Sequence, residues 1–421
     1  MTDTRTLAAP LRLPSGAVLP NRIVKAAMSE GMADADNHAT PRLNRLYRRW
    51  AGSGAGLLLS GNIQVDRWHL ERPGNVVLDD DSGLAALAAM ARAGKAEGAA
   101  FWAQLAHTGR QVSDFINDAP LSPSDVEIDI MRGAGFSFAR PRAMTGAQIE
   151  RAIEQFAAAA RRAREVGFTG VQLHAAHGYL FSQFLSPLAN RRSDRWGGPL
   201  ENRARFLIAT IAAVRAAVGP DFPIGIKLNA SDFQKGGFTN AECLELVGWL
   251  NSSSLDLLEL SGGSLEQPKI VGFSIKDEGE DGPRPSTIAR EAYFVAFAGA
   301  VRAVAKMPVM VTGGFRTAAG MIEALEAGEL DLVGIGRPFI ADPNVGSRLL
   351  SGETERAFAA EDRVGLFHIL PWFNTQLERL ADGLDPDLTM TGEAALAAFA
   401  PLETRMVSEL LRRRAPMAVE A

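Results

Sequence analysis

VMVTGGFRTAAGMIEALEAGELDLVGIG, residues 309–336, contains one complete strand–helix–strand unit. The run VMVTGG (309–314) is short and apolar and ends in glycine, 318–327 has the pattern of an amphipathic helix, and DLVGIG (331–336) is a second apolar run. Strands that read as apolar runs, without alternation, are buried on both faces. The unit therefore predicts two parallel strands joined by a helical crossover.

The same unit recurs along the chain. A short apolar run ending in Gly, Ser, Asn or His is followed by a loop and an alanine-rich amphipathic segment, which gives eight predicted strands. Such alternation forms either a doubly wound sheet or a closed barrel. Eight units without a GxGxxG fingerprint favour an α/β fold of the (β/α)8 TIM barrel type. The other predicted strands are 22–28, 56–62, 100–106, 170–176, 224–229 and 256–262, and the other predicted helices are 84–97, 146–166, 201–218, 241–251 and 288–305.

Three segments interrupt or precede the repeat. LRLPSGAVLPN (11–21), with its Pro-Ser-Gly turn, is typical of a hairpin and would close the bottom of the barrel. The spans 107–144 and 263–287 are long for loops in a compact domain, and such loops are usually functional. We expect both to cover the barrel mouth.

The repeat stops near residue 350. Beyond it, HILPWFNTQLERL (368–380) and LETRMVSELLRRR (402–414) have helical periodicity. We expect one barrel domain over 1–350 and a C-terminal helical extension over 351–421, packed on the barrel or on a neighbouring subunit of a homo-oligomer.

Composition excludes several classes of protein. A net charge of -5 offers no basic surface for phosphate backbones, which argues against a nucleic-acid partner. The single cysteine, Cys243, excludes disulfides, cysteine-ligated iron–sulfur clusters and a Cys-x-x-Cys redox pair. We see neither a signal-peptide pattern nor an apolar run near 18 residues, so we expect a cytoplasmic protein without a membrane partner.

The motif HAAHGYL (174–180) follows a predicted strand, so His174 and His177 can face one small cavity. A zinc site would need another ligand, which His107 or Asp114 could supply, although there is no HExxH pattern. The two imidazoles could also be structural. In a third interpretation they donate hydrogen bonds to a substrate oxygen, and the Tyr179 phenol acts as a general acid.

Polar residues also lie near the ends of the third and fifth predicted strands. Lys227 lies in the apolar run IGIKLN, and a buried ammonium there should have an anionic partner. It could form a Schiff base, stabilise a ring anion, or extend its ammonium to the surface. Gln104, in QLAHTGR, can donate to and accept from the edge of a heterocycle.

Glycines end the last two predicted strands. Thr312, Gly313 and Gly314 end one, and Gly334, Gly336 and Arg337 end the other, which is where barrels often bind phosphate. Backbone N–H groups can approach a phosphate closely at glycines, and a guanidinium adds a bidentate contact. The alternative is that the glycines only relieve crowding and Arg337 pairs on the surface.

The stretch HAAHGYLFSQFLSPLANRRSDRWGGPLENR (174–203) closely resembles the signature of the old yellow enzyme family, the FMN-dependent ene-reductases. The similarity continues in family order through LPNRIVKAAM, GAGLLLSGN, QLAHTGR, KLNASDFQKGGF, VTGGF and GIGRPFIADP, over about residues 10 to 345. With one cysteine, the chain resembles the short single-barrel type without an iron–sulfur domain.

This resemblance implies an FMN enzyme reduced by NADH or NADPH, whose substrate is an activated alkene. His174 and His177 would bind the substrate carbonyl or nitro oxygen, and Tyr179 would protonate Cα after hydride transfer from flavin N5 to Cβ. Lys227 stands where the family has a cation beside flavin N1 and O2. The other cofactor-binding positions it implies are Ala26, Ala27, Met28, Ser29, Asn62, Gln104, His174, Gly313, Gly314, Gly336 and Arg337, with no metal.

Two other functions remain open on the residues alone. A flavin-free barrel lyase or aldolase could use Lys227 as a Schiff-base nucleophile and the glycine ends for a substrate phosphate. A non-catalytic binding protein could use the same scaffold, although His174, His177 and Tyr179 at strand ends disfavour it.

Overall fold

A computed structural model describes residues 3–128, 137–267 and 295–414. Its main sheet contains a closed barrel of eight parallel strands, with each strand paired to its neighbours in chain order and the first strand paired to the last. A short ninth strand, Val76–Val77, pairs with the end of the second barrel strand. The predicted TIM barrel is therefore confirmed. The strands are β1 Ile23–Lys25, β2 Leu57–Gln64, β3 Ala100–Ala106, β4 Gly170–Ala175, β5 Ile224–Asn229, β6 Leu257–Ser261, β7 Val309–Thr312 and β8 Leu332–Ile335.

Helices connect the strands, and two more follow the barrel. Threonine side chains start several of them: Thr145 and Thr239 form capping boxes with Gln148 and Glu242, and Thr317 accepts from the Gly320 N–H. Such caps each stabilise a helix by about 1 kcal/mol. The helices are α1 Pro41–Ala51, α2 Leu84–Gly94, α3 Gly146–Glu165, α4 Leu200–Val218, α5 Asn240–Leu250, α6 Val295–Val304, α7 Ala318–Glu326, α8 Val345–Ser351, α9 Ile369–Ala381 and α10 Gly392–Arg414, with short helices at Arg5–Ala8, Leu180–Leu185, Pro338–Ala341, Ala360–Asp362 and Leu366–His368.

Several predicted boundaries differ from the observed ones. β7 ends at Thr312, not 314, because Gly313 and Gly314 have φ values of 118° and 83° and leave the ladder. Helix α1 was missed because it is arginine-rich and not alanine-rich, although its apolar residues recur every three or four positions and are buried. The loop predicted at 263–287 and the start of the helix predicted at 288–305 lie largely outside the described residues.

The register of the barrel sets polar residues side by side. Gln104 on β3 lies opposite Gln172 on β4, while Lys227 on β5 lies opposite His174 on β4 and Glu259 on β6. Side chains at opposing positions of neighbouring strands point to the same face of the sheet. The register thus assembles one layer of polar side chains from four consecutive strands.

The predicted N-terminal hairpin closes the other end of the barrel. Leu11–Arg12 pairs antiparallel with Val18–Leu19, and the turn is fixed by the Ser15 N–H, which donates to Asp256 Oδ1 at 2.6 Å. Leu13 and Leu19 are buried in a cluster with barrel residues. Burying each such leucine stabilises the fold by about 1.5–3 kcal/mol.

The C-terminal extension packs on the outside of the barrel. Helix α9 lies against α1, where Arg42 pairs with Glu378 at 2.8 Å and Asp382 at 2.7 Å, and Arg45 Nε donates to the Ala381 carbonyl at 2.6 Å. Helix α10 packs on α9 in turn. Among the described residues, no helix is long and apolar enough to cross a membrane.

Candidate active site at the carboxyl end of the barrel

His174 is the first of the predicted donors at the end of β4. Its Nδ1 accepts the Ala176 N–H at 3.3 Å, so in the neutral ring the proton lies on Nε2. Burial, assisted by the positive charge of Lys227, lowers the pKa of His174 to about 3. The side chain is therefore a neutral hydrogen-bond donor at physiological pH.

His177 is held by neighbouring strands. Its backbone N–H donates to Asn229 Oδ1 at 3.1 Å, and its Nε2 lies 2.6 Å from Ser261 Oγ. Its φ of 60° is in the left-handed region, which is uncommon for a residue other than glycine and often marks a functional site. Burial, with smaller contributions from Lys227 and His174, lowers the pKa of His177 well below its usual value. Its ring centroid lies 4.9 Å from that of His174.

Tyr179 completes this group. Its ring lies 4.7 Å from the His174 ring, and its hydroxyl oxygen accepts a long hydrogen bond of 3.4 Å from Asn62 Nδ2. The same Asn62 nitrogen lies 3.2 Å from Ser29 Oγ. Burial, with the negative charge of Glu71, raises the pKa of Tyr179 well above 10, so the phenol keeps its proton.

A buried polar chain lies below these side chains. Gln104 Nε2 donates to Gln172 Oε1 at 2.7 Å, and Gln172 Nε2 donates to Glu259 Oε2 at 2.7 Å. Lys227 Nζ lies 3.0 Å from Glu259 Oε1. Glu259 is thus the acidic partner expected for Lys227, and the pairing holds the Lys227 amine inside the barrel wall.

The predicted strand-one segment lies across the barrel from this chain. Ala26 is buried, while Ala27, Met28 and Ser29 are partly buried. The preceding Lys25 is fully buried, donates to the Leu59 carbonyl at 2.9 Å and lies 4.3 Å from the Trp50 ring. Burial lowers the pKa of Lys25 to about 8. The segment therefore begins on a fixed residue inside the protein.

The glycine ends of β7 and β8 have the features of a phosphate cradle. Gly313 and Gly314 have the positive φ values given above, and within the described chain the buried Thr312 Oγ1 has no hydrogen-bond partner. A Cβ on Gly336 would contact Met28 Sδ at 3.5 Å. Arg337 is partly buried and lies over the Phe373 ring at 5.8 Å, and burial lowers the pKa of its guanidinium. Arg337 is thus not the exposed surface arginine of the alternative interpretation, and these residues fit an anionic group.

A second histidine pair, which sequence reasoning missed, lies with Asp66. The His69 and His107 ring centroids are 4.1 Å apart, and their Nδ1 and Nε2 atoms face the Asp66 carboxylate at 3.4 and 4.0 Å. The His107 ring is therefore directed toward Asp66. It does not join His174 in a metal site, which the zinc interpretation would have required. In the part of the chain that the structure describes, Asp66, His69 and His107 are the only group close enough to share a metal ion.

The hydrogen bonds of this cluster argue against a metal. His69 Nε2 accepts the Leu121 N–H at 3.0 Å, and His107 Nδ1 accepts the Gly109 N–H at 3.0 Å. If a metal bound the nitrogens that face Asp66, the ring protons would have to lie on His69 Nε2 and His107 Nδ1. Each of these N–H groups would then face a backbone N–H, and two donors cannot form a hydrogen bond. The cluster therefore fits two neutral imidazoles that donate toward one carboxylate.

Some functional candidates had weak sequence signals. Glu259 was visible as an acid within the apolar run DLLELSG, and Gln172 as an amide within GVQL. Ser261 and Asn229 are strand-end residues without a motif of their own. The pairing of His69 with His107 had no signal, because it depends on contacts across 38 residues of chain.

Comparisons with known proteins agree with this geometry. The profile of the NADH:flavin oxidoreductase / NADH oxidase family matches residues 6–355. The NADH-dependent flavin oxidoreductase iliE of Neonectria sp. is 36% identical over 359 residues, which cover 82% of this chain and 46% of that protein. This chain thus spans less than half the length of that relative.

Two solved structures are also similar. A 2-naphthoyl-CoA reductase in complex with 2-naphthoyl-CoA has a TM-score of 0.78 at 26% identity, over 91% of this chain and 58% of that one. An old yellow enzyme homologue from Zymomonas mobilis has a TM-score of 0.70 at 25% identity, over 85% and 95% of the two chains. Because the family profile spans the whole barrel and the solved relatives share its fold, the chain belongs to the NADH:flavin oxidoreductase / NADH oxidase family and is old yellow enzyme-like.

Proposed function

We propose that this protein is an FMN-dependent ene-reductase that reduces the C=C bond of α,β-unsaturated carbonyl or nitro compounds. The observation that carries the proposal is the grouping of two neutral imidazoles and a protonated phenol at the carboxyl end of the barrel. The rings of His174 and His177 are 4.9 Å apart, and the Tyr179 ring is 4.7 Å from His174. Active sites of TIM barrels lie at this end.

The site is suited to FMN in three parts. We assign Lys227 and Gln104 to the pyrimidine edge, and the segment from Ala26 to Ser29 with Asn62 to the ring system. When bound, FMN supplies hydride transfer, with NADH or NADPH as the hydride source. The Neonectria relative is an NADH-dependent flavin oxidoreductase, which favours NADH. The residues proposed for the phosphate are Gly313, Gly314, Gly336 and Arg337.

The two histidines bind and polarise the substrate. His174 donates a hydrogen bond to the substrate oxygen from Nε2–H. His177 can donate from its Nε2 once the substrate oxygen displaces Ser261 Oγ. Because both pKa values are depressed, neither ring is an acid that loses its proton to the substrate at neutral pH. Their contribution is to stabilise the negative charge that develops on the carbonyl or nitro oxygen.

Tyr179 holds the proton for the α carbon. Its raised pKa keeps the hydroxyl protonated. Among the described residues its hydrogen-bond partner is Asn62, which donates weakly at 3.4 Å and leaves the phenolic proton available. A phenol transfers this proton readily only to a strongly basic carbon, such as the α carbon of an enolate or nitronate. This matches the chemistry of an activated alkene.

The competing lyase function is less compatible with the site. A Schiff-base lysine must reach its neutral form, whereas Lys227 lies 3.0 Å from the fully buried Glu259 carboxylate. Borohydride trapping of Lys227 with a keto substrate would favour the lyase.

The test uses purified protein under anaerobic conditions. We expect visible flavin absorbance that NADH bleaches, and that enones, maleimides, quinones or nitroalkenes then restore with saturated product. Colourless protein that gains no flavin signal after FMN is added would contradict the proposal. So would reduced protein that no activated alkene reoxidises.

A further inference from the structure

Strand β2 contains an irregularity directly before Asn62. Its register with β3 shifts between Leu59 and Asn62, as in a β-bulge. A bulge leaves backbone groups outside the ladder and redirects the side chains that follow it. The side chain that follows this bulge is the Asn62 amide, which lies between the Ser29 and Tyr179 hydroxyl groups.

Buried side chains from β1, the loop after it and α1 bind the backbone of this bulge. Lys25 Nζ donates to the Leu59 carbonyl at 2.9 Å. On the other side of the bulge, the Gly61 N–H donates to Glu30 Oε1 at 3.0 Å. The Tyr47 hydroxyl donates to the same Glu30 oxygen, and it lies 2.9 Å from the Gly61 nitrogen. Two backbone groups of the bulge are therefore fixed from inside the protein.

Glycine is required at position 61 because no side chain fits there. A Cβ on Gly61 would overlap Glu30 Oε2 and the Met28 carbonyl oxygen. The backbone of β2 thus approaches the strand-one segment more closely than another residue would allow. This approach brings Asn62 Nδ2 within 3.2 Å of Ser29 Oγ.

The Asn62 amide donates toward two hydroxyl oxygens, Ser29 Oγ at 3.2 Å and the Tyr179 oxygen at 3.4 Å. Because the phenol accepts this hydrogen bond, its own proton can point toward a substrate. Burial and the charge of Glu71 raise the pKa of Tyr179, whereas the Asn62 hydrogen bond lowers it. A neutral donor at 3.4 Å contributes little while the phenol is protonated, but it contributes more when the oxygen becomes negative.

We infer that Asn62 is a catalytic residue of the proton step, because it stabilises the phenolate that remains when the Tyr179 proton moves to Cα. In this step the phenolic O–H bond breaks, the C–H bond at Cα forms, and the negative charge moves from the substrate to the phenol oxygen. Solvent later returns a proton to the phenolate. Lys25 and Glu30 are positioning residues, since they fix the bulge that directs Asn62. The inference rests on the proposed function, which assigns the proton at Cα to Tyr179.

A nitroalkene separates the two chemical steps. Hydride transfer to Cβ yields a nitronate, which absorbs in the near ultraviolet until Cα is protonated. Reduced holoenzyme is mixed with a nitroalkene under anaerobic stopped-flow conditions, so that flavin absorbance follows the hydride step and nitronate absorbance follows the proton step. In Asn62→Leu we expect the proton step to slow by about 10- to 100-fold more than the hydride step, the effect of losing one hydrogen bond to a charged group.

Asn62→Asp separates hydrogen-bond donation from shape. Its carboxylate has nearly the shape of the amide, but it cannot donate and it repels a negative phenol oxygen. We expect a proton step at least as slow as in Asn62→Leu. A native proton step in Asn62→Asp would mean that Asn62 only fills space, and would overturn the inference.

Asn251→Leu is the matched control. Asn251 also donates from Nδ2, to the Val304 carbonyl at 2.9 Å, but it lies between α5 and β6 at the other end of the barrel. Both steps should keep their native rates in this variant.

Two variants of Glu30 test the bulge. Glu30→Gln keeps an oxygen acceptor for the Gly61 N–H, whereas Glu30→Ala does not. We expect Glu30→Ala to slow the proton step and Glu30→Gln to recover most of the loss. In an Asn62→Leu background, Glu30→Ala should have no further effect on the proton step. An equal further loss there would show that Glu30 does not act through Asn62.

A spectroscopic measurement on the apoprotein does not depend on turnover. In protein labelled with fluorotyrosine, the fluorine resonance that is absent in Tyr179→Phe belongs to Tyr179. It should shift in Asn62→Leu and stay in place in Asn251→Leu. An unshifted resonance, together with a native proton step in Asn62→Leu, would overturn this inference alone. Reduced native holoenzyme that transfers no hydride to any activated alkene would overturn the proposed function, and this inference with it.

Discussion

The molecule contains two buried pairs of histidines, and they differ in what surrounds them. The outer pair, His69 and His107, has ring centroids 4.1 Å apart, and the inner pair, His174 and His177, 4.9 Å. In the outer pair, each ring accepts one backbone N–H and directs its other nitrogen toward Asp66. The remaining nitrogens of the outer pair therefore face an internal carboxylate, at 3.4 and 4.0 Å.

The inner pair is incomplete by comparison. His174 uses Nδ1 to accept a backbone N–H, and no described residue accepts a hydrogen bond from its Nε2. The partner of His177 is a serine hydroxyl, which a substrate oxygen can displace at little cost. The two pairs thus differ in what their remaining nitrogens face: a fixed carboxylate in the outer pair, and in the inner pair a displaceable hydroxyl or no described acceptor. Each prediction below tests that difference.

The largest effect should come from Tyr179→Phe. Removing the phenolic proton should slow alkene reduction by about 10²- to 10⁴-fold, the usual contribution of a general acid. Flavin reduction by NADH should continue near the native rate, because that step needs no proton at Cα. Stopped-flow absorbance measures the two half-reactions separately. Equal loss in both would remove Tyr179 from its assigned role.

His174→Ala should follow. Losing one donor to a developing oxyanion costs about 10²- to 10³-fold in the alkene step. His174→Asn keeps an N–H donor and should recover a large part of that loss. If the two variants behave alike, His174 does not act as a donor, and the comparison between the pairs fails.

Acid should destabilise the fold through both pairs. His174 and His107 have folded pKa values lowered to about 3, below the ordinary 6.5, so the unfolded chain binds more protons. The stabilisation is complete above about pH 6.5 and is lost as pH falls toward 3, by about 1.4 kcal/mol per pH unit for each histidine. Urea unfolding at several pH values measures how the free energy of unfolding changes with pH. In His107→Gln and in His174→Asn, this dependence should correspond to one proton fewer taken up on unfolding.

Outer-pair variants should affect stability alone. His107→Ala removes the acceptor of the Gly109 N–H, so the free energy of unfolding should fall by about 1–3 kcal/mol. Alkene reduction by the folded holoenzyme should match that of the native protein. A selective loss of the alkene step would show that the outer pair is not purely structural.

Ser261→Ala should have the smallest effect. It removes the 2.6 Å partner of His177 Nε2, and one such hydrogen bond is worth about 0.5–1.5 kcal/mol. We expect a change of about 2- to 10-fold in KM for the alkene, with kcat nearly constant. A large fall in kcat would mean that Ser261 takes part in the reaction and does not merely hold the ring.

The sequence predicted the barrel well because its signal is local. Each apolar run marks a strand buried on both faces, and β3 and β5 have the predicted bounds, 100–106 and 224–229. β7 was predicted too long, since its glycine run does not reveal where φ turns positive. Lys227 predicted a buried anion, but only the register identifies it as Glu259.

The rest of the site depends on contacts between distant segments. Nothing in HILPWFNTQLERL indicates that Phe373 lies against Arg337, which comes 36 residues earlier in the chain. Likewise, QLAHTGR does not show that the His107 ring turns toward Asp66 and away from the mouth. The motifs thus identified the candidate reactive side chains, whereas their hydrogen-bond and ion-pair partners could be seen only in the folded structure.

The hairpin that fills the amino end of the barrel has a kinetic consequence. With Leu13 and Leu19 packed into that end, both reactants of the proposed enzyme would enter and depart through the same opening. The nicotinamide and the alkene would then have to occupy it in turn, each competing with the other. Such an enzyme obeys ping-pong kinetics, with parallel lines in double-reciprocal plots and inhibition by an excess of either reactant.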